Sequence, residues 1–143
     1  MKRIWVFLSL LCAFNSANAT APGEIIFGKW KIVEILDASS LAAFTTKEQA
    51  KQIIGEVLTI NKNEVRFQGV VGLSPLFTKS KQNISDCFYD GYCLDPVKLH
   101  LPKTFTVVNI EYEPNGSYTF YLQNKNNIIF RKRGYFYQMT REK

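Results

Sequence analysis

The stretch FGKWKIV, residues 27–33, is the first part of the chain with strong β character. Its apolar side chains alternate, as expected for a half-buried strand. Trp30 and Ile32 face one way, and Val33 and Ile35 face the other. This pattern predicts the opening strand of a β domain, which the rest of the sequence extends.

Residues 1–19 precede this strand and have the three parts of a cleavable signal peptide: a basic start, a short apolar run and an A-N-A end. The run is too short for a membrane-spanning helix, which needs about 20 residues. We therefore expect cleavage after Ala19 and a periplasmic or secreted chain that does not span a membrane. A lipoprotein anchored through Cys12 is the alternative, although Leu11 stands where lipoprotein processing prefers a small residue.

The remaining chain, residues 20–143, has the length of a single domain with its own core. Two of the 18 basic residues belong to the leader, so residues 20–143 carry 16 basic and 12 acidic side chains, a net charge of +4. This mild excess does not indicate a nucleic-acid partner, which a protein leaving the cytoplasm would rarely meet.

A short helix is expected between the first and second strands. Thr45 precedes Glu48 by three residues, the spacing of a capping box, and Gly55 is placed to end the helix. Its apolar stripe would consist of Ala50, Ile53 and Ile54.

After Gly55 the hydrophobic period changes to two, and short turns with Asn or Gly separate most of the alternating runs. The predicted strands are EVLTI (56–60), EVRFQ (64–68), LFT (76–78), VKLHL (97–101), FTVVNIEYE (105–113), SYTFYLQ (117–123), NIIFRK (127–132) and YFYQMT (135–140). Successive hairpins favour a mainly β, up-and-down antiparallel barrel of eight or nine strands, because closure removes exposed edges. A β-sandwich is the alternative.

A long polar loop is predicted over residues 79–96. It contains Cys87 and Cys93, which we expect to form one disulfide in an oxidising compartment. A metal site is the competing interpretation, but it needs more ligands. The sole histidine, His100, is expected on the solvated face of the strand 97–101, so no metal site is predicted.

Three aromatic residues of this loop, Phe88, Tyr89 and Tyr92, are candidate contacts for a protein partner. A loop held by a disulfide loses less conformational entropy on binding, and long loops in otherwise economical domains are often functional.

The tripeptide Gly28-Lys29-Trp30 resembles the G-x-W at the start of the calycin superfamily, which includes lipocalins, fatty-acid-binding proteins and avidins. Fatty-acid-binding proteins also insert helices between their first two strands. The resemblance implies a barrel in which Trp30 packs at the closed end beneath an arginine from near the chain's end, either Arg141 or Arg133. It thus implies structural roles for Gly28, Trp30 and Arg141.

Two observations limit what the resemblance implies about a ligand. The Arg-x-Tyr carboxylate clamp of fatty-acid-binding proteins lies within the last strand, whereas Arg133-Gly134-Tyr135 straddles a predicted turn. Exported bacterial barrels with a similar start and one disulfide also include inhibitors of cell-wall hydrolases and immunity proteins.

No catalytic constellation is apparent in the sequence. His100 has no motif around it, and the glutamates Glu111 and Glu113 have the i, i+2 spacing of a solvated strand face. We find no glycine-rich phosphate loop. The sequence therefore indicates a non-enzymatic protein without a cofactor.

Aromatic residues are the strongest indication of binding. Tyr118, Phe120 and Leu122 share one strand face, and Tyr135 and Tyr137 share another. They are candidate ligand-binding residues if the barrel is hollow. The alternative is core packing, since an eight-stranded barrel is just wide enough for its own side chains to fill.

Two functions follow as hypotheses. The first is a carrier of a small apolar or amphipathic ligand inside the barrel. The second is a periplasmic inhibitor or immunity protein that binds and neutralises an envelope-attacking enzyme, with the loop 79–96 as its contact surface. The basic cluster Arg131-Lys132-Arg133 is interpreted as a solvated rim or as a contact for an acidic partner.

Overall fold

The computed structural model describes residues 23–39, 42, 44–84 and 95–143. In these residues eight strands form a closed barrel, in which each strand pairs antiparallel with the next and β8 pairs with β1. The strands are β1 Gly28–Ala38, β2 Val57–Ile60, β3 Glu64–Phe67, β4 Val70–Asn83, β5 Thr104–Glu113, β6 Gly116–Leu122, β7 Asn127–Lys132 and β8 Tyr135–Arg141. The predicted up-and-down barrel is confirmed, and the alternative sandwich is wrong.

Strand β1 closes the barrel by pairing with β2 on one side and β8 on the other. Its pairing with β8 is irregular near Glu34 and again before Asp37. Such irregularities shift the in–out alternation of a strand. Ile35 therefore packs against the interior core, whereas Val33 stays exposed. The prediction that these two residues share a face is wrong for this reason.

The predicted helix between β1 and β2 is present as α1, Lys47–Lys51. Its N-cap is Thr46 instead of Thr45: the Thr46 hydroxyl accepts a bond from the Gln49 N–H at 3.2 Å, and the Thr46 N–H donates to Gln49 Oε1 at 2.9 Å. The capping box is therefore one residue later than predicted. Beyond the helix, Gly55 adopts a φ of +94° and turns the chain into β2.

The predicted strand 97–101 is instead a second helix, α2, Pro96–Leu99. Asp95 caps it, because its Oδ1 accepts from the N–H groups of Val97 (3.0 Å) and Lys98 (3.3 Å). His100 ends the helix in the left-handed conformation, with φ 49°, and its side chain is exposed. The expected strand and the strand position of His100 are both wrong.

Strand β4 is much longer than the predicted residues 76–78, since it runs from Val70 to Asn83. Residues 79–83 pair with residues 104–108 of β5. Their side chains are mostly polar and lack apolar alternation, so the sequence indicated a loop where the chain continues the strand.

The apolar side chains form two clusters, one inside the barrel and one on its outer wall. The inner cluster is centred on Trp30, Phe120 and Phe130. The outer cluster arises because β5–β8 carry apolar residues on both faces, and the segment around α2 covers the outer ones. Its buried members are Leu99, Leu101, Phe105, Val107, Tyr121, Ile129 and Phe136.

Candidate functional site

The base of the barrel, the end where β1 begins and β8 ends, is closed by Trp30 and Arg141. The Trp30 indole N–H donates to the carbonyl of Ile26 at 2.8 Å, and the Arg141 guanidinium carbon lies 4.2 Å from the ring centroid. Arg141 also donates to three backbone carbonyls, those of Ile25 (3.1 Å), Phe27 (2.6 Å) and Lys125 (3.0 Å). The contact that the resemblance assigned to Arg141 or Arg133 is made by Arg141.

Gly28 makes this closure sterically possible. Its φ of +129° is unfavourable for residues with a side chain, and a Cβ there would lie only 2.9 Å from Arg141 Nη1. The spacing of the G-x-W tripeptide thus places a side-chain-free residue beneath the arginine and an indole two positions on, inside the barrel. Arg133 lies in the β7–β8 turn, with φ 50°.

The five candidate ligand-binding residues, Tyr118, Phe120, Leu122, Tyr135 and Tyr137, are all buried and belong to the inner cluster. The four aromatic rings among them pack on one another or on Phe130. Phe120 stacks on Phe130 with centroids 5.2 Å apart, and Tyr118 meets Phe130 edge-on at 5.4 Å. The barrel interior around Phe130 is therefore filled by the protein's own side chains.

Tyr135 and Tyr137 also hold α1 over the opposite end of the barrel, which we call the mouth. The Tyr135 hydroxyl donates to the carbonyl of Thr45 at 2.9 Å, and the Tyr137 hydroxyl donates to that of Ala50 at 3.1 Å. Burial is the main cause that raises the pKa of Tyr137 to about 12, so this hydroxyl keeps its proton. Two phenols of β8 thus fasten the helix, and α1 forms a lid.

A cavity of about 260 Å³, the mouth cavity, lies beside the lid. Its lining comprises Thr45, Gln49, Ala50, Gln52, Ile53, Gln68, Lys132, Arg133 and Tyr137. The Lys132 ammonium lies 5.0 Å from the Phe67 ring centroid and 5.6 Å from that of Tyr118. Burial, with a smaller contribution from Arg133, lowers the pKa of Lys132.

An exposed apolar surface runs along the first half of β4. Val71, Leu73 and Leu76, which we call the β4 strip, have 39%, 53% and 62% of their surface exposed. The pairing with β5 is irregular between Leu73 and Leu76, where the bulge adds one residue on β4. Leu76 therefore stays on the outer face with Leu73, and Phe77 turns inward to meet Phe27.

Charged residues border the β4 strip on both sides. On β3, Arg66 and Glu64 form an ion pair at 2.7 Å and stand opposite Val71 and Leu73. On β5, Glu113 stands opposite Leu73, and Glu111 opposite Leu76. Grooves of about 520 and 410 Å³ flank the strip on the β3 and β5 sides. The predicted solvated position of these two glutamates agrees with their exposure.

The loop residues Cys87, Phe88, Tyr89, Tyr92 and Cys93 lie outside the described residues, as does the leader. The chain on either side of this loop is firmly attached to the barrel.

Three contacts make this attachment. The N–H of Ile84 donates to the carbonyl of Lys103 at 2.9 Å, and Gln123 Nε2 donates to that of Leu99 at 2.9 Å. Lys98 also pairs with Asp37 of β1 at 3.3 Å. The loop between residues 84 and 95 thus starts and ends on fixed backbone.

Within the described ranges, no group of three or more His, Cys, Asp or Glu side chains is arranged to hold a metal ion. None of the helices seen there is long and apolar enough to cross a bilayer.

Sequence reasoning missed two features of these surfaces. It grouped Lys132 with its basic neighbours, but the chain alone does not show that Lys132 points into the mouth. It also left β4 before Leu76 unassigned, although the apolar residues of VVGL (70–73) were a usable strand signal.

No protein-family model, curated protein or solved structure matches the chain.

Proposed function

We propose that this chain is an exported, non-enzymatic binding protein that recognises a protein target through the outer face of its barrel. The observation that carries the proposal is the β4 strip, an exposed apolar surface on a barrel whose interior is filled by aromatic side chains.

The filled interior is the reason for preferring a protein target to a small apolar ligand inside the barrel. Such a ligand would have to displace Phe120, Phe130 or Tyr118, which contact one another directly. Emptying a packed core is costly, since removing one large apolar side chain typically costs about 3–5 kcal/mol.

The β4 strip has the composition of a contact surface. Three exposed large apolar residues, Val71, Leu73 and Leu76, lie on one face of β4 within six positions. Contiguous exposed apolar surface with a polar border commonly marks a protein interaction site, whereas single exposed residues do not. The two flanking grooves would receive side chains of a partner.

The border of the strip indicates the charge of the target. Glu111 and Glu113 are exposed on one side, and Arg66 on the other is already paired with Glu64. The local surface is thus complementary to an apolar protrusion flanked by Lys or Arg, despite the overall positive charge of the chain. Charges at such a border mainly affect the association rate and its salt dependence.

The leader pattern of residues 1–19 supports a target in the cell envelope or outside the cell. The proposed role is that of an inhibitor or immunity protein against an envelope-attacking enzyme. Phe88, Tyr89 and Tyr92 would add contacts from the anchored loop.

The test compares capture of envelope proteins from the native host by the purified chain 20–143 and two variants. Leu73→Thr/Leu76→Thr removes the apolar strip but keeps β propensity. Val97→Thr is the matched control, because Val97 is 79% exposed on α2, outside the strip. We expect one protein to be captured by the wild type and by Val97→Thr, and at least tenfold less by the strip variant.

The dissociation constant of the captured protein is then measured with each purified variant at low and high salt. Equal affinities for the strip variant and the control would overturn the proposed contact face. Glu111→Gln/Glu113→Gln should weaken the salt dependence while leaving the strip intact. Mass spectrometry of the native protein tests export, with Thr20 expected as the first residue.

A further inference from the structure

We infer that the mouth cavity is a second binding site, for a small organic carboxylate with a compact apolar body, and that Lys132 holds the carboxylate. This site is separate from the β4 strip and does not depend on the proposed protein target.

The position of Lys132 within β7 sends its side chain inward. Ile128 and Phe130, two and four residues earlier, belong to the inner cluster, whereas Ile129 belongs to the outer one. Lys132 continues the inward set and ends over the rings of Phe67 and Tyr118. Lys132 also belongs to the lining of the cavity.

The charge of the cavity is uncompensated by the described side chains. Its lining includes Lys132 and Arg133 and no carboxylate. Neither of the two ion pairs seen in the described ranges, Arg66–Glu64 and Lys98–Asp37, involves them. A half-buried ammonium without a counter-charge is costly, and an anion bound beside it would restore the lost stabilisation.

The size of the cavity limits the ligand. Sites for drug-sized molecules occupy roughly 300–1,000 Å³, so about 260 Å³ suits a smaller molecule and is too little for a long-chain lipid. Water occupies about 30 Å³ per molecule, which gives room for roughly eight or nine waters or a compact organic acid.

The remaining lining favours a carboxylate with an apolar body over inorganic phosphate. Ala50 and Ile53 of the lid segment are buried apolar residues at the cavity. Gln49, Gln52 and Gln68 supply amide groups that can orient a carboxylate. An anion without an apolar portion would leave the wall formed by Ala50 and Ile53 without a ligand contact.

The experiment is a titration of the chain 20–143 with benzoate, followed by backbone-amide NMR. We expect saturable shifts at the amides of Gln49, Gln68 and Lys132. Lys132→Met, which keeps the apolar stem, should raise the dissociation constant about ten- to a hundredfold, the usual effect of losing a charge-assisted hydrogen bond. Lys132→Arg should retain binding.

Lys62→Met is the matched control, because Lys62 is exposed in the β2–β3 turn at the base end and should leave binding unchanged. Equal benzoate affinity in Lys132→Met and Lys62→Met would overturn the site, as would shifts confined to residues elsewhere. Inorganic phosphate, titrated in parallel, should bind more weakly. Phosphate binding at the same amides with equal or higher affinity would overturn the assignment to an organic acid.

Discussion

Arg141 stacks on the Trp30 indole at 4.2 Å and thereby joins the last strand of the barrel to the first. The same guanidinium donates to the carbonyls of Phe27 and Ile25, just before β1. One side chain thus combines a cation–π contact with hydrogen bonds to the chain entry, and none of the described carboxylates forms an ion pair with Arg141.

The close approach of Gly28 to Arg141 makes a sharp prediction for Gly28→Ala. We expect a loss of about 2–3 kcal/mol in the free energy of unfolding, from the strained φ and from displacement of the guanidinium. Gly55→Ala is the control: its φ is also positive, but a Cβ there meets nothing within 4 Å, so about 1–2 kcal/mol is expected.

Urea unfolding measures the stability of both variants. A double-mutant cycle with Arg141→Met then separates the backbone strain at residue 28 from the clash with the guanidinium. In the Arg141→Met background the cost of Gly28→Ala should fall to that of Gly55→Ala. An unchanged cost would show that the guanidinium is not what Gly28 accommodates.

The packed interior predicts a large effect of Phe130→Ala. Phe130 contacts Phe120, Tyr118 and Phe67, so its removal should cost about 3–5 kcal/mol. Phe44→Ala is the control, since Phe44 is 98% exposed, and it should stay within about 0.5 kcal/mol of the wild type. A loss below about 1 kcal/mol for Phe130→Ala, measured by urea unfolding, would contradict a filled barrel.

The fastening of the lid predicts a local effect of Tyr135→Phe/Tyr137→Phe. Each change removes one hydrogen bond to the lid segment, worth about 1 kcal/mol. Amide hydrogen exchange in α1 should accelerate clearly more than in β5, where protection should change little. Acceleration that is uniform over the barrel would mean that the hydroxyls stabilise the whole fold instead of the lid.

The buried phenols predict a loss of stability at alkaline pH. Burial is the largest effect on both phenols: it raises the pKa of Tyr118, and it raises the pKa of Tyr137 to about 12. Phenols in an unfolded chain titrate at about pH 10. Because the pKa of each phenol is higher in the folded than in the unfolded chain, its contribution to the free energy of unfolding is complete below about pH 10. This contribution is lost as the pH rises towards about 12.

The contribution of Lys132 to stability changes with pH in the opposite direction. Its pKa is lowered in the folded chain, so its unfavourable contribution at neutral pH is relieved as the pH rises towards the unfolded value near 10.4. Because Tyr118→Phe removes one of the buried phenols, its urea midpoint should fall less steeply above pH 10 than that of the wild type. An identical pH profile would contradict the role of Tyr118.

The barrel could be predicted because local signals agreed with it. Asn61-Lys62-Asn63 between β2 and β3 and Pro114-Asn115 between β5 and β6 are turn sequences that the structure uses as such. Alternation along β6 correctly placed Tyr118 and Phe120 on one face, and alternation along β8 did the same for Tyr135 and Tyr137. Tyr121 and Phe136 lie on the opposite face of these strands, in the outer cluster.

Other elements depend on contacts that sequence patterns do not contain. Val97, Leu99 and Leu101 alternate like a strand, but the Asp95-Pro96 start selects a helix whose burial comes from the outer wall of β5–β8. The shift of the capping box from Thr45 to Thr46 reflects two adjacent threonines, between which tertiary contacts decide.

The surfaces proposed for binding could be predicted least. The β4 strip exists because a bulge between Leu73 and Leu76 changes the alternation. Pro75 marks a possible bulge in the sequence, but it does not show which side chains the bulge brings to the outer face. The mouth cavity joins Gln49, Gln68 and Lys132 from three distant parts of the chain.

Trp30 is the single tryptophan of residues 20–143, because the other tryptophan of the sequence is Trp5. Its indole is fully buried and covered by a cation. Intrinsic tryptophan emission from the chain 20–143 therefore reports on one place, the seam between the first and last strands. A red shift and a change in quantum yield would record the opening of that seam, without any added label.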